Sequence, residues 1–136
     1  MNILSATLVL VFAGFFNNPS LEIKATNYIE EHKELAIVEM YRSGIPASIT
    51  MAQALHESNF GSSDLARNAN NHFGIKCKSY WEGDTYFHED DDYDSAGKLM
   101  ESCFRAYESV FDSYIDHSNF LAVSYTHLTL PTTSRV

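Results

Sequence analysis

Apolar residues recur at the three- and four-residue spacing of an α-helix in two stretches of the first half of the chain. The first stretch, residues 26–43, predicts an amphipathic helix that ends at Gly44. The side expected to face the interior comprises Tyr28, Ile29, Leu35, Ala36 and Met40. The side expected to face water comprises Glu30, Glu31, Lys33 and Glu39.

The second helical stretch runs from Pro46 to Glu57 and is mostly apolar until its last turn. Pro46 suits the first position of a helix, where its missing N–H would be unpaired in any case. The residues expected to face inward are Ile49, Leu55 and either Ala52 or Gln53. Glu57 lies at the negative end of this helix, where the dipole and partial burial both disfavour an ionised carboxylate. A carboxyl group that keeps its proton suits general acid catalysis.

The rest of the chain predicts a short helix, a β-hairpin and a last helix. The short helix is expected over residues 62–69. Over residues 77–107, aromatic and β-forming residues replace helix formers and flank an acidic, turn-rich stretch at 89–97, which favours a hairpin. The last helix is expected over residues 110–121. This order predicts an α+β fold with a mainly helical lobe and a small β-hairpin lobe.

Composition narrows the function classes. A chain of 136 residues is enough for one small domain, and a hydrophobic content of 45% is typical of a globular protein. The net charge of −9 argues against nucleic acid as a partner, because nucleic-acid binding requires a basic surface. A glycan ligand is compatible with this charge.

The two ends of the chain differ from the middle. Residues 3–16 are mostly apolar but shorter than the ~20 residues of a membrane-spanning helix, and they are typical of the core of a secretory signal peptide. We therefore expect residues 1–20 to be a signal peptide, with a buried N-terminal helix as the alternative. The string from Val123 to Thr132 resembles the translation of a sequencing adaptor. Residues 122–136 are accordingly predicted to be a non-native tail, with a native strand-like tail as the alternative.

Two motifs occur in sequence in the middle of the chain. Residues 52–61 read AQALHESNFG, residues 64–76 read DLARNANNHFGIK, and FRAY follows at 104–107. In this order they closely resemble the N-acetylglucosaminidase family of bacterial cell-wall hydrolases, which includes autolysins and flagellar peptidoglycan hydrolases. The resemblance runs from about Tyr28 to Leu121. It implies that residues 21–121 are a C-terminally truncated glucosaminidase domain with a lysozyme-like fold.

The resemblance also implies an activity, an endo-β-N-acetylglucosaminidase that cleaves the GlcNAc–MurNAc strands of peptidoglycan with Glu57 as the catalytic acid. The family's second carboxylate lies in the β-hairpin lobe, and Asp91 or Asp92 matches its position, although a solvated acidic turn is the alternative. Retaining, inverting and substrate-assisted routes all stay open. We expect an exported monomer, periplasmic or extracellular and associated with the cell wall, with no cofactor, no stable membrane insertion after signal removal and no amidase activity.

Six residues are candidates for contact with the substrate: Phe60, Asn71, Phe73, Tyr80, Trp81 and Tyr86. Tyr80, Trp81 and Tyr86 are the candidates for stacking on sugar rings. Packing in the core is the alternative for Tyr80, Trp81 and Tyr86 and the more common role of such a residue, and it is the favoured interpretation of Phe73.

Cys77 and Cys103 are the only cysteines, and an even pair in an exported chain predicts a disulfide. A loop of this length predicts roughly 3 to 3.5 kcal/mol of stabilisation from loop-closure entropy. A zinc site is not expected, since the spacing of His56, His72 and His88 makes no zinc signature with Cys77.

The acidic stretch also has a spacing like that of a calcium-binding loop, with its carboxylates at Asp90, Asp92, Asp94 and Glu101. Such a loop requires glycine at its sixth position, where Ser95 stands, and its flanks should be helices, whereas strands are predicted here. We therefore predict no metal.

Two other functions are open. A lysozyme-like muramidase or a lytic transglycosylase also carries a Glu-Ser pair, but a transglycosylase normally has a Gly-Leu-Met-Gln-like segment where residues 71–76 read NHFGIK. The other alternative, from a different class, is a catalytically inactive cell-wall binding fragment.

Overall fold

The computed structural model describes residues 18–128. The predicted apolar core of the signal peptide, residues 3–16, lies outside them, as do residues 129–136 of the predicted tail. The described part contains helices and one antiparallel sheet of two strands. Their bounds are α1 (Pro19–Ser43), α2 (Ala47–Glu57), α3 (Asp64–Ala69), β1 (Thr85–Tyr93), β2 (Leu99–Arg105) and α4 (Val110–Leu128). The predicted α+β division into a helical lobe and a β-hairpin is confirmed.

Helix α1 begins earlier than the sequence predicted, at Pro19 instead of Thr26. Asn18 caps it, because its Oδ1 accepts a hydrogen bond from the backbone N–H of Ser20 at 3.2 Å. Proline at the first helical position and an acidic residue in the first turn, Glu22, also favour a start there. The helix ends at Ser43, next to Gly44, as predicted.

The prediction that Glu39 faces water was wrong, because its side chain is fully buried. Arg42 forms a two-pronged ion pair with it, with Nη2 at 2.7 Å from Oε2 and Nε at 2.8 Å from Oε1. Burial alone would raise the pKa of the Glu39 carboxyl, but hydrogen bonds from Arg42 and Ser118 outweigh burial and lower it. The same Arg42 donates to Asn119 at 3.0 Å, which joins the end of α1 to α4.

The predicted inward face of α2 was right for Leu55, which packs against the core, but wrong for Ile49. Thr50, Met51 and Ala54 are buried, whereas Ile49 is 49% exposed. Because α2 is apolar on most of its circumference, more than one stripe of residues fits the helical spacing. The packing of α2 against α1 selects the stripe that contains Met51 and Ala54.

The core lies where α1, α2, α4 and the loop before β1 meet. Its buried members are Tyr28, Ala36, Met51, Ala54, Phe73, Ile75 and Tyr114. Within it, the hydroxyl of Tyr28 lies 2.5 Å from Nδ1 of His72 and 3.1 Å from the hydroxyl of Tyr114. These contacts satisfy buried polar groups and connect α1, the loop and α4 at one point.

The β-hairpin runs in regular register from Thr85 opposite Arg105 to Glu89 opposite Glu101. A bulge follows, and pairing resumes with Tyr93 opposite Leu99. The acidic residues at 89–93, predicted as part of the turn, are therefore the end of β1. Their carboxylates are accommodated because this end of the hairpin is largely exposed to solvent.

Helix α4 starts with a capping box, in which the backbone N–H of Asp112 donates to Ser109 Oγ at 3.2 Å and the backbone N–H of Ser109 donates to Asp112 Oδ2 at 3.1 Å. The helix was predicted to end at Leu121, but it continues to Leu128. The side chains of Ser113, Tyr114 and Ser118 on its inner face are buried.

Candidate active site

Glu57 is the last residue of α2, and it lies at the wall of a cleft of about 330 Å³. The loop at 73–76 forms another wall, and α4 contributes His117, Phe120 and Leu121. The Glu57 side chain is exposed, so the partial burial expected from the sequence is not found.

The chain turns sharply after Glu57. The buried Ser58 hydroxyl holds the turn, since it donates to the carbonyl of Ala54 at 2.6 Å and accepts from the N–H of Gly61 at 2.8 Å. Asn59 and Phe60 both have positive φ, at 48° and 56°. This backbone costs a non-glycine residue roughly 1–2 kcal/mol, and strain of this kind is concentrated at functional sites.

Gly74 brings the opposite wall close to Glu57. Its φ is +64°, and a Cβ at this position would lie 3.8 Å from Glu57 Oε2. A side chain here would be strained and would stand next to the carboxyl group. Glycine therefore leaves open the space in front of Glu57.

Asn71 shapes the loop that carries Gly74. Its Nδ2 donates to the carbonyls of Ile75 at 3.0 Å and Arg105 at 2.8 Å, and its Oδ1 accepts from the N–H groups of Phe73 and Ile75. The side chain is fully buried and its hydrogen-bonding capacity is used. The structure thus places Asn71, a predicted substrate contact, behind the cleft wall instead of in the cleft.

Phe73 belongs to the core and to the cleft at once. Its ring stacks on His117 with centroids 3.9 Å apart and meets Tyr114 edge-on at 4.9 Å. Burial lowers the pKa of His117 to about 4, so the imidazole is neutral at physiological pH. The favoured interpretation of Phe73 as a packing residue agrees with its 7% exposure.

Of the two candidates for a second carboxylate, Asp92 is connected to the cleft. Lys76 lines the cleft with Glu57, and its Nζ lies 3.2 Å from Asp92 Oδ2. The same ammonium forms a closer ion pair with Asp90, which was not a predicted catalytic residue. Asp91 is exposed between them in the bulged end of β1.

The predicted stacking residues lie away from the Glu57 cleft. Tyr80 and Trp81 flank the guanidinium of Arg105, with its Cζ 5.4 Å and 4.6 Å from the two ring centroids. Tyr86 accepts a hydrogen bond from Asn68 at 3.3 Å on the side of the hairpin near α3. The turn residue Phe60 is half-buried. The structure therefore brings together Glu57 and Phe73 but not the other aromatic candidates.

Most of the residues that line the cleft were not predicted as site residues, among them Gly74, Lys76 and His117. Gly74 and Lys76 lie in the motif at residues 64–76, which by itself assigns them no role, and His117 has no local pattern that marks it as functional. Lys76 is distinguished by its ion pairs with Asp90 and Asp92, and these residues lie far from it in the sequence.

A disulfide joins Cys77 to Cys103, with Cα atoms 5.4 Å apart. Next to it, the N–H of Cys77 donates to the carbonyl of Cys103 at 2.9 Å. The N–H of Arg105 donates to the carbonyl of Ile75 at 3.0 Å. The base of the hairpin is thus attached to the wall of the cleft.

Within residues 18–128, no cluster of three or more His, Cys, Asp or Glu is arranged to hold a metal ion. No helix in that part of the chain has the length and apolar character needed to cross a bilayer.

Comparisons with known proteins show what this chain is similar to. The family model described as mannosyl-glycoprotein endo-beta-N-acetylglucosaminidase matches residues 33–135. The exo-glucosaminidase LytG of Bacillus subtilis (strain 168) is 40% identical over 72 residues, which are 52% of this chain and 25% of LytG. The peptidoglycan hydrolase FlgJ of Vibrio cholerae serotype O1 is 27% identical over 122 residues, which are 82% of this chain and 36% of FlgJ.

Solved structures show the same fold. The catalytic domain of the autolysin Auto from Listeria monocytogenes superposes with a TM-score of 0.63 at 23% identity, over 89% of this chain and 67% of that domain. The predicted lysozyme-like architecture is confirmed. The chain spans between a quarter and about a third of the curated relatives it matches.

Proposed function

Because this chain belongs to the mannosyl-glycoprotein endo-beta-N-acetylglucosaminidase family, we propose that it is a glycoside hydrolase that cuts the glycan strands of peptidoglycan on the reducing side of GlcNAc. The observation that supports this most directly is the position of Glu57 in a cleft, opposite a glycine that leaves its carboxyl group accessible. The names of the two relatives, a glucosaminidase and a peptidoglycan hydrolase, support the same substrate class.

In the proposed reaction, Glu57 donates its proton to the glycosidic oxygen as the bond from C1 of GlcNAc to that oxygen breaks. The sugar ring passes through an oxocarbenium-like transition state. Phe73, Ile75 and Phe120 line part of the cleft, so a bound sugar would exclude water from around Glu57.

A second group must stabilise the developing positive charge and activate water. Asp92 is the better supported of the two sequence candidates, because Lys76 connects it to the cleft. In the inverting route, Asp92 accepts a proton from water while the remaining hydroxide bonds to C1. The 2-acetamido oxygen of the substrate is the alternative nucleophile, and it would need Asp92 only as a charge partner.

The chain is also proposed to act outside the cytoplasm, at the cell wall. The disulfide between Cys77 and Cys103 supports this, since such bonds persist in oxidising compartments. The predicted signal peptide would direct the export.

Replacing Glu57 with Gln tests the proposal, because it removes the transferable proton and keeps the shape of the side chain. We expect glycan hydrolysis to fall by about 10² to 10⁴-fold, the usual contribution of general acid catalysis. Thermal unfolding of both forms would be compared, because Glu57 is exposed and its replacement should leave the fold intact. A loss of less than about tenfold would contradict the assigned role.

A further inference from the structure

Lys76 lies where three parts of the molecule meet. Its side chain lines the cleft beside Glu57, and its backbone pairs with Phe104 of β2. Its carbonyl accepts a hydrogen bond from Nε of the buried Arg105 at 3.1 Å. These contacts fix the backbone of Lys76 against β2. Its ammonium points toward the end of β1.

The two carboxylates that contact Lys76 have different surroundings. Asp90 is partly buried, with 21% of its side chain exposed, and it accepts a further hydrogen bond from Ser102 at 3.0 Å and one from the N–H of Asp91 at 2.9 Å. The Lys76 ammonium is the main cause of a lowered pKa at Asp90, which keeps Asp90 ionised. Asp92 is 69% exposed and meets the same ammonium at a longer distance.

We propose that Lys76 is a positioning residue, which anchors the acidic end of β1 through Asp90 and thereby holds Asp92 at the cleft that contains Glu57. This inference rests on the proposed function. Regular pairing of the hairpin stops at Glu89, before the bulge, so the anchor acts on the segment whose position the sheet defines least. Asp90 supplies the attachment, and Asp92 is left accessible for the substrate or for water.

The test compares Lys76→Met, which removes the charge, with Lys76→Arg, which keeps it. The control is Lys33→Met on α1, since Lys33 also pairs with a surface carboxylate, at 2.6 Å from Glu30. With purified peptidoglycan as the substrate, we expect Lys76→Met to lower kcat by about 10- to 100-fold, the effect of misplacing a reacting group by about 1 Å. KM should change little, Lys76→Arg should recover most of the rate, and Lys33→Met should behave as the wild type.

A double mutant identifies the partner. If Lys76 acts through Asp90, adding Asp90→Asn to Lys76→Met should cause no further loss of kcat, because the effects of substitutions within one network are not additive. A kcat within about twofold of wild type in Lys76→Met would overturn the proposal. A rise in KM alone would overturn it as well, since it would make Lys76 a substrate contact instead.

Amide hydrogen exchange separates this inference from the proposed function. Lys76→Met should speed exchange at residues 90–93, Lys76→Arg should restore protection, and Lys33→Met should have no effect there. Unchanged exchange at these residues in Lys76→Met would refute the anchor whether or not glycan is cut. If the wild type cuts no glycan while the exchange result holds, the proposed function fails and the anchor stands.

Discussion

Asp116 balances a buried positive charge beneath the hairpin, and removing its charge should destabilise the fold. It accepts two hydrogen bonds from Arg105 Nη1, at 2.9 and 3.2 Å, and one from the hydroxyl of Tyr107 at 2.6 Å. The exposed fractions of the side chains are 4% for Arg105 and 21% for Asp116. In Asp116→Asn the guanidinium would stay buried without a counter-charge.

The size of the effect follows from this burial. Breaking a buried ion pair by removing one partner typically costs about 3–5 kcal/mol, because the remaining charge is uncompensated. We expect a value near the lower limit, about 3 kcal/mol. Asp116 is partly exposed, and the rings of Trp81 and Tyr80 keep their contact with the guanidinium. This loss corresponds to roughly a 100-fold decrease in the folding equilibrium constant.

Urea unfolding of the disulfide-intact protein measures this loss, provided that the slope of free energy against denaturant is unchanged. The matched control is Asp64→Asn, which breaks an exposed pair with Arg67 at 3.2 Å. It should cost at most about 1 kcal/mol. If both variants lost the same small amount, below about 1 kcal/mol, the Arg105–Asp116 pair would have no structural role.

Two further predictions concern the disulfide and the buried histidines. Thiol titration of denatured, unreduced protein should find no free thiols, because Cys77 and Cys103 are joined, and two free thiols would contradict the pairing. His72 and His117 have pKa values lowered to about 4, mainly by burial, whereas an unfolded histidine has a pKa of about 6.5. Because the unfolded chain binds more protons between these values, stability should be complete above about pH 6.5 and fall as the pH is lowered toward 4. His117→Gln should weaken this dependence in urea unfolding more than the exposed His56→Gln, and equal slopes in all three proteins would contradict the assignment.

Much of the fold was predictable because it depends on local signals. The end of α1 at Gly44 and the capping box of Ser109 and Asp112 are short patterns with a direct physical cause. The early start of α1 had such a signal too, in Asn18 followed by Pro19, but an adjacent apolar run made the segment resemble a signal-peptide boundary. The start of the helix was therefore missed, and the signal peptide stays a prediction.

The errors inside the helices have another cause. Glu39 is buried because Arg42 and α4 complete its hydrogen bonds, and a helical periodicity carries no information about a partner such as Asn119. The buried stripe of α2 depends on how α2 packs on α1, since several stripes of that helix are apolar. Tertiary contacts decide both cases.

The candidate site, like the fold, was predicted only in part. Glu57 and the loop at 71–76 were found from motifs, but the roles within the loop were not. Asn71 proved to be a buried support of the loop, and Lys76 has a role only because the chain brings Asp90 and Asp92 next to it. A single sequence shows residue types and spacing, while such a role depends on contacts between distant segments.

The central claim is that the chain cuts peptidoglycan glycan on the reducing side of GlcNAc, and the new reducing ends report this directly. Peptidoglycan digested by the protein would be reduced with borohydride and examined by mass spectrometry, with Glu57→Gln as the negative control. A glucosaminidase leaves GlcNAc at the new end, a muramidase leaves MurNAc, and a transglycosylase leaves a 1,6-anhydro ring that borohydride does not reduce. The proposed function predicts that reduced GlcNAc ends dominate and disappear with Glu57→Gln. Reduced MurNAc or anhydro-MurNAc as the main product would contradict it.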